Sequence, residues 1–128
     1  MSSDEAVRRW RESAKRNLET AKEMMALNHR DWALFVGQLS LEKLLKGIIA
    51  KQSDDAPPYI HNLVRLSDIA HIRLNQTQKD QLATISRFNV EARYDSIKEE
   101  LYKMATPAYV KEWIGIIEEM YIWIKNQY

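Results

Sequence analysis

Apolar residues recur along the chain at spacings of three and four, and no stretch alternates strictly between apolar and polar. That period predicts helices and no strands. From about Asp4 to Asn28, Val7, Trp10, Ala14, Leu18, Ala21 and Met25 keep to one face, while Arg8, Arg11, Glu12, Lys15, Arg16 and Glu19 take the others. Ser3 or Asp4 can cap this helix, and Asp4 and Glu5 suit the positive end of its dipole. The short link Asn28-His29-Arg30-Asp31 predicts an antiparallel neighbour running from Asp31 to about Gln52. Ala33, Leu34, Phe35, Val36, Leu39, Leu41, Leu44, Leu45, Ile48 and Ile49 cover nearly the whole circumference of that second helix. A helix apolar on almost all sides belongs at the centre of a bundle. Gly37 would let a neighbouring backbone or a ligand approach closely, at a cost of roughly 1 kcal/mol relative to alanine.

The stretch Ser53-Asp54-Asp55-Ala56-Pro57-Pro58 predicts a loop. A shorter helix is expected from His61 or Asn62 to Ala70, on Leu63, Leu66 and Ile69. Thr77 reads as the cap of another, which carries Leu82, Ile85 and Phe88. Asn89 to Ala105 is ambiguous: Arg93-Tyr94-Asp95 reads as a turn or a fresh cap, and Ser96 to Met104 as partly helical. Thr106-Pro107 is a start signal for a last helix to about Asn126, on Val110, Trp113, Ile114, Ile117, Met120, Tyr121 and Ile124. The expected fold is all-α, an antiparallel up-and-down bundle of four to five helices in one domain over residues 1–128.

Composition narrows the chemistry. With 45 % apolar residues the chain can bury a core, and 19 Lys and Arg against 18 Asp and Glu leave a formal charge of +1. That balance gives no global pull toward nucleic acid or membrane, although a local patch stays open. The absence of cysteine excludes disulfides, Cys-based zinc sites and thiol catalysis. His29, His61 and His71 are too scattered to suggest a metal site, and no glycine-rich phosphate loop occurs, so no cofactor is expected. The chain turns charged at Asp4 without a signal peptide, and no apolar run nears the ~20 residues of a membrane span. The expectation is a small soluble cytoplasmic protein.

Gln38, Glu42 and Lys46, four residues apart, form one polar stripe on the apolar second helix, with Lys43 beside it. Two readings stand: an exposed Glu-to-Lys pair worth about 0.2–0.5 kcal/mol, or a groove in which Lys46 and Lys43 hold an anion and Glu42 orients them. His61-Asn62 either caps the following helix or presents an imidazole where an anion would also be favoured. Arg93 could pair with an acid such as Glu91 or reach a phosphate. Tyr109 and Trp123 fall to the side of the last helix's core stripe, which suits either core packing or a partner surface.

Taken in order, these pieces resemble the HEPN family (higher eukaryotes and prokaryotes nucleotide-binding domain). The likeness rests on Trp10, Ala14, Leu18 and Ala21, on Asp31-Trp32, and on Gln38 followed by Glu42-Lys43 and Leu45-Lys46, similar to a Glu-Lys-x-x-Lys helix. It continues with His61-Asn62-Leu63 and with Arg93-Tyr94-Asp95. The resemblance implies a helical bundle, usually a homodimer, that partners a small nucleotidyltransferase in a toxin–antitoxin-type pair and binds a nucleotide or RNA. Its implied ligand-binding residues are Gln38, Glu42, Lys43, Lys46, His61, Arg93 and Tyr94. Some relatives are metal-independent ribonucleases with an arginine four to six residues before a histidine. After Arg93 that window holds Lys98 instead, and lysine is a poor base at neutral pH. Arg65 and His71 match the spacing an element too early, so His61, His71 and Arg93 are the weak catalytic candidates. The expectation leans toward a binding protein over a ribonuclease, with a plain helical dimerisation module as the third reading.

Overall fold

The computed structural model describes residues 3–93 and 95–128, with side chains over 3–89 and 99–128. These form six helices: α1 (Ser3–Ala26), α2 (Arg30–Gln52), α3 (Leu63–Ile69), α4 (Gln76–Arg93), α5 (Asp95–Met104) and α6 (Pro107–Lys125). The architecture is an all-α bundle, with one helix more than the four to five expected. The ambiguous stretch resolves into the end of α4 and the separate helix α5. Among the described residues, no helix is long and apolar enough to cross a membrane.

Helix ends follow local chemistry. α1 stops two residues before Asn28, which takes the left-handed conformation at φ 65°. The Asn28 amide then donates to the Met25 carbonyl and the His29 amide to the Met24 carbonyl, at 3.0 and 2.8 Å. This pair of bonds is a Schellman cap, and asparagine tolerates the left-handed position better than most residues. α3 begins with the Asn62 side chain accepting from the Arg65 amide at 3.0 Å. It ends on a second Schellman cap: His71 at φ 59° donates its amide to Asp68, and the Ile72 amide donates to Ser67. α4 departs from the sequence expectation, because Asn75 caps it and Thr77 does not. The Asn75 carboxamide accepts from the Gln78 amide at 2.8 Å, and the Gln78 side chain accepts from the Asn75 amide at 3.0 Å. Such a reciprocal box satisfies two amides at once, which a threonine two residues later could not do for the first turn. Thr106 caps α6 through the Tyr109 amide, with Pro107 in the first turn as its fixed φ favours.

α2 is the central element and touches each of the other five helices. Its Ala33, Leu34, Leu41, Leu44, Leu45 and Ile48 are buried among Ala14 and Ala21 of α1, Leu63 and Leu66 of α3, Leu82, Ile85 and Phe88 of α4, and Ile114, Ile117 and Ile124 of α6. Tyr109 and Trp123 are half-buried and pack against this core. The Tyr109 ring meets Phe88 edge-on at 6.3 Å, and Trp113 does the same at 5.9 Å. A Lys22–Glu118 ion pair of 2.7 Å ties α1 to α6 at the surface.

Two glycines of α2 mark where neighbours come closest. A methyl group at Gly37 would lie 2.8 Å from the terminal carbon of Ile117, the far end of a side chain that can turn away. At Gly47 it would meet the Tyr128 hydroxyl, which donates to the Leu44 carbonyl at 2.6 Å, and it would lie 3.2 Å from the Trp10 Cβ. Gly47→Ala is therefore expected to lose about 1–3 kcal/mol in urea unfolding through overpacking. Gly37→Ala should stay within about 1 kcal/mol of the parent, because the gain in helix propensity offsets a small shift of Ile117.

Candidate functional site

Gln38, Glu42 and Lys46 lie one turn apart on α2, and the stripe is not an exposed strip. Gln38 is fully buried, and the Glu42 and Lys46 side chains are each 7 % exposed. The reason is position: α3 and α4 pack over this side of α2. A lone carboxylate there would be costly, so each of its oxygens is occupied. Lys46 Nζ donates to Glu42 Oε2 at 3.0 Å. Gln38 Nε2 donates to Glu42 Oε1 at 3.1 Å and to the His61 carbonyl, also at 3.1 Å. His61 Nδ1 lies 2.9 Å from the same Glu42 Oε1. Asn89 on α4 completes the chain, donating to Gln38 Oε1 at 3.0 Å.

Burial by itself would raise the Glu42 carboxyl, but the hydrogen bonds from His61, Gln38 and Lys46, with the Lys46 charge, outweigh it. They hold the group below the ordinary carboxylate range. A charged carboxylate only accepts, so the hydrogen on His61 sits at Nδ1. The imidazole is 40 % exposed and lines a cleft of about 200 Å³ with Asn62, Ala83, Ser86 and Arg87. Its Nε2 has no hydrogen-bond partner among the described residues. Ser86 braces the floor, accepting from the Leu63 amide at 2.9 Å and donating to Leu82. The cleft thus has an oriented imidazole and Arg87 in its lining, backed by a buried anion that is itself neutralised by Lys46.

The other sequence candidates lie elsewhere. Lys43 turns to α1 and donates to Ser13 Oγ at 2.8 Å, away from the Glu42 network. His71 is exposed in the turn after α3, where its backbone serves the Schellman cap, and Asn62 acts as the α3 cap. Arg93 closes α4, but its side chain, like Tyr94 altogether, lies outside the described residues. Among the described residues, no cluster of three His, Asp or Glu is placed to hold a metal ion.

The HEPN domain profile matches residues 7–127, almost the entire chain. The chain belongs to the HEPN family. No curated protein matches it. The crystal structure of TT1696 from Thermus thermophilus is similar, with a TM-score of 0.79 and 18 % identity over 95 % of this chain and 98 % of that one. At that identity the likeness concerns the fold. In this HEPN domain, Glu42 and Lys46 of the Glu-Lys-x-x-Lys motif and His61 of the His-Asn-Leu element meet in one hydrogen-bonded network, with Lys43 outside it.

Asn89, Ser86 and Arg87 were missed by sequence reasoning. Asn89 had a signal, as a polar residue next to Phe88 and one turn beyond Ile85 on the face that carries the α4 core. Ser86 and Arg87 had none, because both are ordinary residues on a half-exposed helix.

Lys46→Met keeps the side-chain volume but leaves Glu42 with a buried, only partly compensated charge. It should cost about 3 kcal/mol in denaturant unfolding, against less than about 1 for an exposed pair. Because Glu42 is held below its ordinary value, its contribution is complete above the carboxylate range and is lost as pH falls through the lowered value. Stability measured from pH 6 downward should fall off in acid (below about 4) more steeply in the parent than in Glu42→Gln.

Proposed function

We propose that this HEPN protein binds a phosphorylated ligand, a nucleotide or RNA, in the cleft at His61 and Arg87. The observation that carries the reading is the imidazole held by Glu42 at the mouth of a cleft that also presents a guanidinium. About 200 Å³ suits one phosphate group, with the remainder of the ligand lying over the surface. Arg87 offers a planar fork of donors to phosphate oxygens, and the Asn62 carboxamide and a protonated His61 Nε2 can add two more. Gln38, Glu42 and Lys46 act from behind as positioning residues. In this reading Arg93, the last residue of the helix that carries Arg87, and Tyr94 are further ligand contacts that the family resemblance implies.

The protein would work as a homodimer beside a small nucleotidyltransferase in a toxin–antitoxin-type pair, as its family membership suggests. A second reading, metal-independent ribonuclease, is favoured by the same carboxylate–imidazole pair. A neutral His61 with its hydrogen on Nδ1 has a free Nε2 lone pair, which is what taking a 2′-hydroxyl proton requires.

Titration with a short single-stranded RNA and with nucleoside monophosphates tests both readings. Arg87→Gln and His61→Gln are expected to weaken binding about tenfold each, the scale of one charge-assisted hydrogen bond, with the RNA recovered intact. Unchanged affinity in both variants rejects the cleft. Metal-free RNA cleavage that disappears in His61→Gln would replace the binding role with the nuclease.

A further inference from the structure

A larger concavity of about 590 Å³ opens between α1 and α2, and Lys43 is the one lysine among the described residues that line it. Ala6 and the half-buried Trp10 make its wall mostly apolar. The charges at its rim are Arg9, Glu12 and Arg16. Arg9 is paired with Glu5 at 3.1 Å, and Glu12 faces Arg8 at 3.7 Å. Arg16 and Lys43 have no carboxylate within salt-bridge distance among the described residues. Instead, Lys43 Nζ donates to Ser13 Oγ at 2.8 Å. The partly buried ammonium therefore has an apolar wall, a hydroxyl and a second cation around it. Burial first, and then the positive charge of Arg16, outweigh the pull of Glu42 and hold Lys43 below the ordinary lysine pKa. A lysine desolvated beside another cation is one way in which proteins obtain a nucleophilic amine near neutral pH. Lys46, three residues on, has no such character, because it is sealed against Glu42 at 3.0 Å.

We infer that Lys43 is a reactive amine that captures a small aldehyde or ketone carrying an anionic group, holding it as an imine in the α1–α2 cleft. The volume falls in the range of small-molecule sites. Trp10 and Ala6 take the carbon skeleton of the ligand, and the Arg16 guanidinium takes its carboxylate or phosphate. The ammonium of Lys43 first gives one proton to solvent through the open side of the cleft. The Nζ lone pair then adds to the carbonyl carbon, forming the C–N bond, and the carbonyl π pair moves to oxygen. Ser13, already hydrogen-bonded to Nζ, hands its proton to that oxygen and takes one from the nitrogen. In the resulting carbinolamine the nitrogen lone pair expels the hydroxyl, which leaves as water with the last hydrogen on nitrogen. The balance is amine plus carbonyl to imine plus water, with nothing oxidised or reduced.

Reductive trapping on the full chain tests this. Glyoxylate, an aldehyde with a carboxylate, and pyridoxal 5′-phosphate, an aldehyde with a phosphate, are the probes. Cyanoborohydride reduces each imine to a stable secondary amine, and peptide mass spectrometry reads the rate at every lysine. Lys43 should be modified at least about tenfold faster than Lys15 and Lys111, which are exposed on α1 and α6. Arg16→Gln, at an exposed position, should slow the trapping of both probes at Lys43 by about tenfold. Pyridoxal, which lacks the phosphate, should change by less than about twofold in that variant. Lys43→Arg keeps the positive charge and should abolish the fast adduct. The probe that is trapped faster shows whether the anion is a carboxylate or a phosphate. Labelling of Lys43 no faster than of Lys15, or fast labelling that survives Arg16→Gln unchanged, would overturn the assignment. His61→Gln should label at the parent rate, and because the two clefts share no residue, either reading can fail while the other stands.

Discussion

A carboxylate buried in the middle of a bundle has to be neutralised and hydrogen-bonded on every side, or the fold expels it. Glu42 meets that requirement with partners from three parts of the chain. Lys46 and Gln38 come from its own helix, His61 from the entry to α3, and Asn89 reaches the cluster through Gln38 from α4. Apolar packing around α2 is non-directional and would accept several rotations of its neighbours. Hydrogen bonds have direction, so this one charge sets how α3 and α4 sit against α2. The position of His61 at a cleft mouth is a consequence of satisfying Glu42.

The same arrangement divides the polar residues of the family motif by task. Within Glu-Lys-x-x-Lys, Glu42 and Lys46 are an inward pair, whereas Lys43, one position along, points to α1. A rotation of about 100° per residue is enough to send adjacent residues to different neighbours. Two clefts with different chemistry therefore arise from one short motif: a small one with an imidazole and a guanidinium, and a larger, apolar-walled one rimmed by cations. The near-zero net charge hides both, because opposite charges elsewhere on the helices cancel them in the sum.

The long-range connections at the end of the chain serve the same centre. Tyr128 reaches back to the Leu44 carbonyl, and its phenol is pushed to a raised pKa by burial, partly countered by Arg11, whose guanidinium lies 4.4 Å from the ring centroid. The hydroxyl occupies the space beside Gly47, which is why α2 carries a glycine there despite its cost in a helix.

Much of the fold was legible in the chain. The 3.6-residue spacing of apolar positions located α1, α2, α3 and α6, and the all-round apolar character of α2 placed it at the centre, because burial on every side leaves no other position. Capping chemistry was legible where one residue type dominates, as at Asn62 and Thr106-Pro107, and misread where two candidates stood close together, as at Asn75 and Thr77. The polar stripe of Gln38, Glu42 and Lys46 was visible as a stripe, but its burial was not. Spacing along one helix says which residues share a face and nothing about what covers that face. Only the packing of α3 and α4 decided that Glu42 is sealed, that His61 is its partner across 19 residues, and that Ser86 and Arg87 stand beside the imidazole. Local periodicity is written into neighbouring residues, whereas the environment of a charge depends on segments far apart in the chain, and that is settled only when they come together.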